Sequence, residues 1–144
     1  MKVARIAQVP PPVVSPFDTV LEAVRKMQKL RVGAAVVVED DRAIGILSER
    51  DVMLRVVAAQ MPPDRTPVSA VMTTRLEHVP PDADARHALK LMVENHIRHL
   101  PIMGEDKKLV GLLSIRNLLQ NCLEDVDREI KSLEAYFTAD GPGG

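Results

Sequence analysis

Two runs of the chain set a hydroxyl beside a carboxylate or a carboxamide at what reads as a helix start. Gly45-Ile46-Leu47-Ser48-Glu49-Arg50-Asp51 recurs as Gly111-Leu112-Leu113-Ser114-Ile115-Arg116-Asn117. The shared pattern is Gly, two apolar residues, Ser, two variable residues, then Asp or Asn. Ser-x-x-Asp opening a helix is also a capping box, in which the hydroxyl and the acid satisfy free backbone donors. One isolated copy reads as that and nothing more. A cap does not require glycine three residues earlier, and both Gly45 and Gly111 stand there. A missing Cβ lets a ligand come close to the backbone. Two copies imply two similar lobes about a pseudo-twofold axis, with whatever the motif binds held between them.

The flanks repeat as well. Val14-Ser15-Pro16 answers Val79-Pro80-Pro81, and Ala23 to Met27 answers Ala88 to Met92. Each unit reads as an extended segment, a helix, two strands and a second helix. In the first, Val13 and Val14 are extended. Asp18 or Thr19 caps a helix with Leu21, Val24, Met27 and Leu30 on one face. Val32 to Val38 is a short, almost continuous apolar run and reads as a buried strand. Ala43 to Leu47 is the next strand, and Ser48 opens a helix that ends at Pro62 and Pro63. In the second, Asp82 or Asp84 caps the helix, Ile97 to Met103 and Leu109 to Leu113 are the strands, and Ser114 starts the last helix. The offset between copies is 65 residues before the strand-strand turn and 66 after it, so the turn holds one extra residue. The expected organisation is a first unit at 8–60, a linker at 61–67 and a second unit at 68–126. A helix extension at 127–138 and a disordered tail at 139–144 complete it. One unit is too small to bury its sheet face alone. The fold class is therefore α/β (α+β), two β-α-β-β-α units packed sheet to sheet.

The totals narrow the function. With 144 residues and 46% hydrophobic content a core can form, but aromatics are only 2%, so base stacking on aromatic side chains is not the binding device. The formal net charge of -1 supplies no basic field for a nucleic-acid backbone. The single Cys122 excludes an intramolecular disulfide and fits a reducing compartment. No apolar run approaches the ~20 residues that span a bilayer, and no secretory leader is apparent. The expectation is a cytoplasmic protein that meets neither membrane nor nucleic acid.

At this point the chain resembles a tandem pair of cystathionine-β-synthase (CBS) domains, a Bateman module. The resemblance covers residues 8 to 126. It is carried by the two Gly-x-x-Ser-x-x-Asp/Asn motifs, by Ile97-Arg98-His99-Leu100-Pro101-Ile102, and by Val71-Met72-Thr73. It implies an adenosine-containing ligand, AMP, ADP or ATP, with S-adenosylmethionine or NAD as alternatives, and a regulatory role toward an effector protein without chemistry of its own. Ribose presents vicinal hydroxyls, and an ionised Asp51 can accept from both; Ser48 adds a contact, and the helix start favours a phosphate. In the family the site is composite. Carried over, Ser48 and Asp51 face Thr74, Val79, Ile97, Arg98, His99 and Pro101, with Arg98 and His99 as the phosphate bases. The opposite site pairs Ser114 and Asn117 with Gly33 and Ala34, lacks those bases, and has only Arg50 or Arg116 within reach. It is the weaker of the two.

Other readings are poorer. His78, His87, His96 and His99 do not have metal-ligand spacing, and no Cys or paired carboxylate completes a set. No nucleophile with a base and no Gly-rich phosphate loop marks an enzyme, so no catalytic residue is expected. A structural dimer with decayed ligand sites accounts for Gly33, Ala34 and Asn117 but not for Asp51, Arg98 and His99. The last helix outruns the repeat, and Leu119, Leu123, Val126, Ile130, Leu133 and Phe137 make a heptad seam. It either folds back on its own module or forms a homodimer contact.

Overall fold

The computed structural model describes residues 1–139; most of the tail for which disorder is expected lies outside the described residues. In the first unit β1 (Val13–Val14) pairs in parallel with β2 (Ala34–Glu39), which pairs antiparallel with β3 (Arg42–Ser48). Between β1 and β2 runs α1 (Val20–Leu30). Of the two candidates, Thr19 caps it, its Oγ1 accepting from the Glu22 N–H at 3.2 Å. Two further first-turn donors are met by the linker: the N–H groups of Val20 and Leu21 donate to the carbonyls of Thr66 and Pro63, each at 2.9 Å. The linker is thus part of the helix cap.

β2 starts two residues later than the apolar run suggests. Arg31 ends α1 in the left-handed region at φ 56°, and the Val32 N–H still closes onto the Met27 carbonyl at 3.0 Å. Val32 therefore belongs to the helix terminus, although its side chain packs on the first core. The turn to β3 uses Asp40 and Asp41, both at positive φ, as a two-residue hairpin turn requires.

The second unit repeats this with α3 (Ala85–Asn95), β4 (His99–Met103), β5 (Leu109–Ser114) and α4 (Ile115–Ala139). His96 ends α3 at φ 54° and Ile97 N–H bonds the Met92 carbonyl at 3.0 Å, so β4 likewise starts after Ile97 and Arg98. Its opening strand is reduced to one parallel bridge, Val79 to Ile102. Asp84 stands at the N-cap of α3 but makes no side-chain cap; its carboxylate takes the Met1 amine at 3.3 Å. The one-residue insertion falls in the β4–β5 turn, where Glu105–Lys107 form a 3-10 turn.

Three apolar clusters result. Val14, Val20, Met27, Val37 and Leu47 centre the first unit, and Met92, Leu100, Ile102, Leu113 and Leu118 the second. Between them Ala34, Val36 and Ala43 of the first sheet meet Met103 and Leu112 of the second, so the sheets face each other. Two segments cross over. Val3 is fully buried in the second unit's core and Gln8 pairs with Leu112; Val68 is fully buried in the first unit's core and Thr73 pairs with Ile46. Among the described residues no helix is long and apolar enough to cross a membrane.

Candidate functional site

The site is built on the junction of β3 and α2 (Glu49–Val52), which continues as a π-helical turn over Met53–Val57. The capping box is formed in full. Asp51 N–H donates to Ser48 Oγ at 3.2 Å, and the Ser48 N–H donates to Asp51 Oδ2 at 2.9 Å. The Ser48 hydroxyl also donates to Oδ2, at 3.1 Å. Oδ1 faces the other way and accepts from the Thr73 hydroxyl at 3.0 Å. Thr73 sits on the crossing segment that leads into the second unit, so this carboxylate spans the seam between the units. Arg55, one turn along, lies 4.0 Å from Oδ1 and donates to the carbonyls of Val71 and Met72 at 3.1 and 3.0 Å. Asp51 is only 8% exposed and its present partners are hydroxyls, one N–H and this guanidinium. A carboxylate so placed is suited to accept from a diol that displaces those hydroxyls.

The second motif is less complete. Asn117 N–H donates to Ser114 Oγ at 3.1 Å, with no return bond from the Asn117 side chain. Asn117 is half-buried, and Arg50 and Arg116 are exposed.

Several sequence-based expectations land elsewhere. Thr73, not Thr74, reaches Asp51; Thr74 is exposed. Val79 is buried in the second unit's core, its N–H bonding the carbonyl of Pro101, itself buried, at 3.2 Å. Ile97 packs against that same core. Arg98 is exposed and its carbonyl accepts from Ile115 N–H at 2.8 Å. Gly45 and Gly111 leave room for the crossing segments. A Cβ at Gly45 would stand 2.6 Å from Met72 Sδ and 3.1 Å from the Thr73 carbonyl, and one at Gly111 3.2 Å from the Gln8 carbonyl. The sequence does not mark Glu49 or Arg55 as site residues, and it marks Thr73 only as part of Val71-Met72-Thr73. Only Arg55 leaves a readable signal, its i,i+4 spacing from Asp51.

His99 lies directly across from Ser114 in the β4–β5 pair. Its neighbourhood includes Gly33, where a Cβ would run into the Glu49 carboxylate and come 3.3 Å from His99 Cε1. Burial pushes the His99 imidazole below its ordinary 6.5; the Glu49 carboxylate partly opposes this and the Arg98 charge reinforces it. At neutral pH His99 is therefore an uncharged donor and acceptor, and the exposed Arg98 is the cation there. No three His, Cys, Asp or Glu side chains converge among the described residues.

Comparison with known proteins agrees with this architecture. The CBS domain family model matches residues 3–58 and again 68–124. An uncharacterised protein of Methanopyrus kandleri is 36% identical over 107 residues, covering 74% of this chain but only 55% of its own length. The CBS domain-containing protein YhcV of Bacillus subtilis is 40% identical over 108 residues, 75% of this chain and 76% of that one. Among solved structures, a CBS domain protein of Pyrobaculum aerophilum in complex with AMP superposes with a TM-score of 0.74 at 28% identity, covering 81% of this chain and 89% of the other.

Proposed function

The chain belongs to the CBS domain family as a tandem pair, and on that premise we propose that it binds an adenosine-containing ligand in the seam between its units and acts as a regulatory subunit or module for an effector protein. The observation that carries the reading is the Asp51 carboxylate, which bridges the Ser48 hydroxyl of one unit and the Thr73 hydroxyl of the crossing segment. A ribose 2′,3′-diol supplies the same two donors from one rigid group, so it replaces them like for like. The AMP complex of the Pyrobaculum aerophilum protein supports this choice of ligand class. Ser114 and Asn117 would form a second, weaker site, because a carboxamide accepts without charge. The role is binding rather than catalysis, and the protein acts as a homodimer through its exposed helices.

Calorimetry with AMP tests the reading. Asp51→Ala should weaken binding by about 1.5–3 kcal/mol, the range for hydrogen bonds to a charged group, and Asn117→Ala by clearly less. Equal losses in the two variants would remove the asymmetry, and a parent that binds neither adenosine nor AMP would remove the ligand class. Stoichiometric turnover of AMP or ATP would point to an enzyme instead.

A further inference from the structure

The two motifs repeat, but what holds the crossing segment beside each of them does not. At Ser48–Asp51 the Thr73 N–H and carbonyl both pair with Ile46 at 2.9 Å, and the Thr73 hydroxyl reaches Asp51 Oδ1. At Ser114–Asn117 the Gln8 N–H and carbonyl pair with Leu112 in the same way, at 2.9 and 3.3 Å. Among the described residues no bond joins the Gln8 side chain to Asn117.

The helix position four residues past each motif differs as well, Arg55 after Asp51 and Asn121 after Asn117. Arg55 Nη1 donates to the carbonyls of Val71 and Met72 at 3.1 and 3.0 Å and stands 4.0 Å from Asp51 Oδ1. Asn121 makes no such link. Its Nδ2 donates to Met1 Sδ at 3.2 Å, and its Oδ1 is buried without a partner. The backbone changes with the side chain. Arg55 lies in the π-helical turn Met53–Val57, whereas α4 runs through the equivalent residues 119–123 as α-helix. Such turns are rare and recur at functional sites.

We propose that Arg55 is the positioning residue of the Asp51 site, and that through Asp51 it sets a preference for a ribose over a 2′-deoxyribose ligand. One guanidinium holds in register the segment that carries Thr73 and the carboxylate that Thr73 touches. To accept from a diol, Asp51 Oδ1 gives up the Thr73 hydroxyl. With the Val71 and Met72 carbonyls held by Arg55, the Thr73 side chain turns away while its backbone stays paired with Ile46. The guanidinium also keeps a positive charge beside a buried carboxylate during the exchange. An acceptor fixed in advance rewards the ligand that presents both hydroxyls. This selection presupposes the adenosine ligand proposed above.

Calorimetry with AMP and 2′-deoxyAMP reads the preference. The parent should bind AMP about tenfold more tightly, the difference made by one hydrogen bond to a charged group. Arg55→Gln should weaken AMP about tenfold and 2′-deoxyAMP less than about threefold, so that the preference closes. Arg55→Lys keeps the charge without the planar fork. It should fall between the two, and it serves where the Gln variant does not fold. Equal losses of both nucleotides would mean a merely structural role and would overturn the proposal, as would unchanged affinities or a parent indifferent to the 2′-hydroxyl. In hydrogen exchange without ligand, the Thr73 N–H should exchange faster in Arg55→Lys than in the parent, with the Gln8 N–H unchanged. Equal rates at Thr73 would overturn the hold on the segment. A parent that binds neither nucleotide would overturn the adenosine reading, and the exchange at Thr73 would still decide what Arg55 holds.

Discussion

At the scale of single residues, Asp51 and His99 are set apart by what surrounds them. Asp51 is buried yet fully partnered, so it stays available to exchange one hydroxyl donor for another. His99 is desolvated, and Glu49 offsets only part of that. The sign of its effect on stability follows. The folded state holds a proton on His99 less well than the unfolded chain, whose histidine titrates near 6.5. As the pH falls below 6.5 the unfolded state takes up more protons and stability drops; above it, this contribution is constant. His99→Gln should therefore show a smaller loss of stability between pH 7 and pH 5 than the parent in urea unfolding. Superimposable pH profiles for the two proteins would contradict a desolvated His99. The same shift bears on phosphate recognition, because an uncharged imidazole contributes a hydrogen bond and leaves the charge to Arg98.

At the scale of elements, the crossing segments matter most. Val3 and Val68 occupy equivalent places 65 residues apart, each buried in the core of the other unit. Burying a Val side chain is worth roughly 1.5–3 kcal/mol. Val3→Asp forfeits that and brings a charge into the core. Hydrogen exchange should then speed up in α3, β4 and β5 more than in β2 and β3, although residue 3 precedes the first unit's own strands. Preferential loss of protection in β2 and β3 would refute the crossover. Repeat, helix starts, strand pair and turn insertion are legible, because each is a local pattern, whereas the choice between Asp18 and Thr19 as the cap is not. Nor is the crossover. A short segment such as Val3-Ala4-Arg5-Ile6-Ala7 shows an apolar side chain that needs a core, without showing which core.

At the scale of the whole molecule, the open apolar surface is concentrated on α4 and the α2–π segment, and a chain rarely leaves so much of it in water. Ile130→Glu with Leu133→Glu should put charges into the stripe and yield monomers by light scattering, with Asp51 and its partners undisturbed and AMP still bound. A dimer that survives both substitutions would place the contact elsewhere. A seam of this kind also gives a regulatory reading its physical basis. A ligand that displaces the Thr73 hydroxyl acts on the segment that Arg55 clamps at Val71 and Met72, the path by which one unit is joined to the other.

The tandem units, the family, a helix cap at Asp18 or Thr19 and the difference between Asp51 and Asn117 can all be read from the residues in order. Periodicity, capping and repeat spacing act over a few residues and survive without any knowledge of the fold. The folded chain is needed to see that Thr73 rather than Thr74 meets Asp51, and that Gly45 and Gly111 make room for crossing backbone. It alone left the α4 stripe exposed rather than folded back. The contacts at Asp51 and at the two glycines depend on which segments pack together across 22 to 103 residues of chain. Long-range packing chose among partners that local chemistry left equivalent.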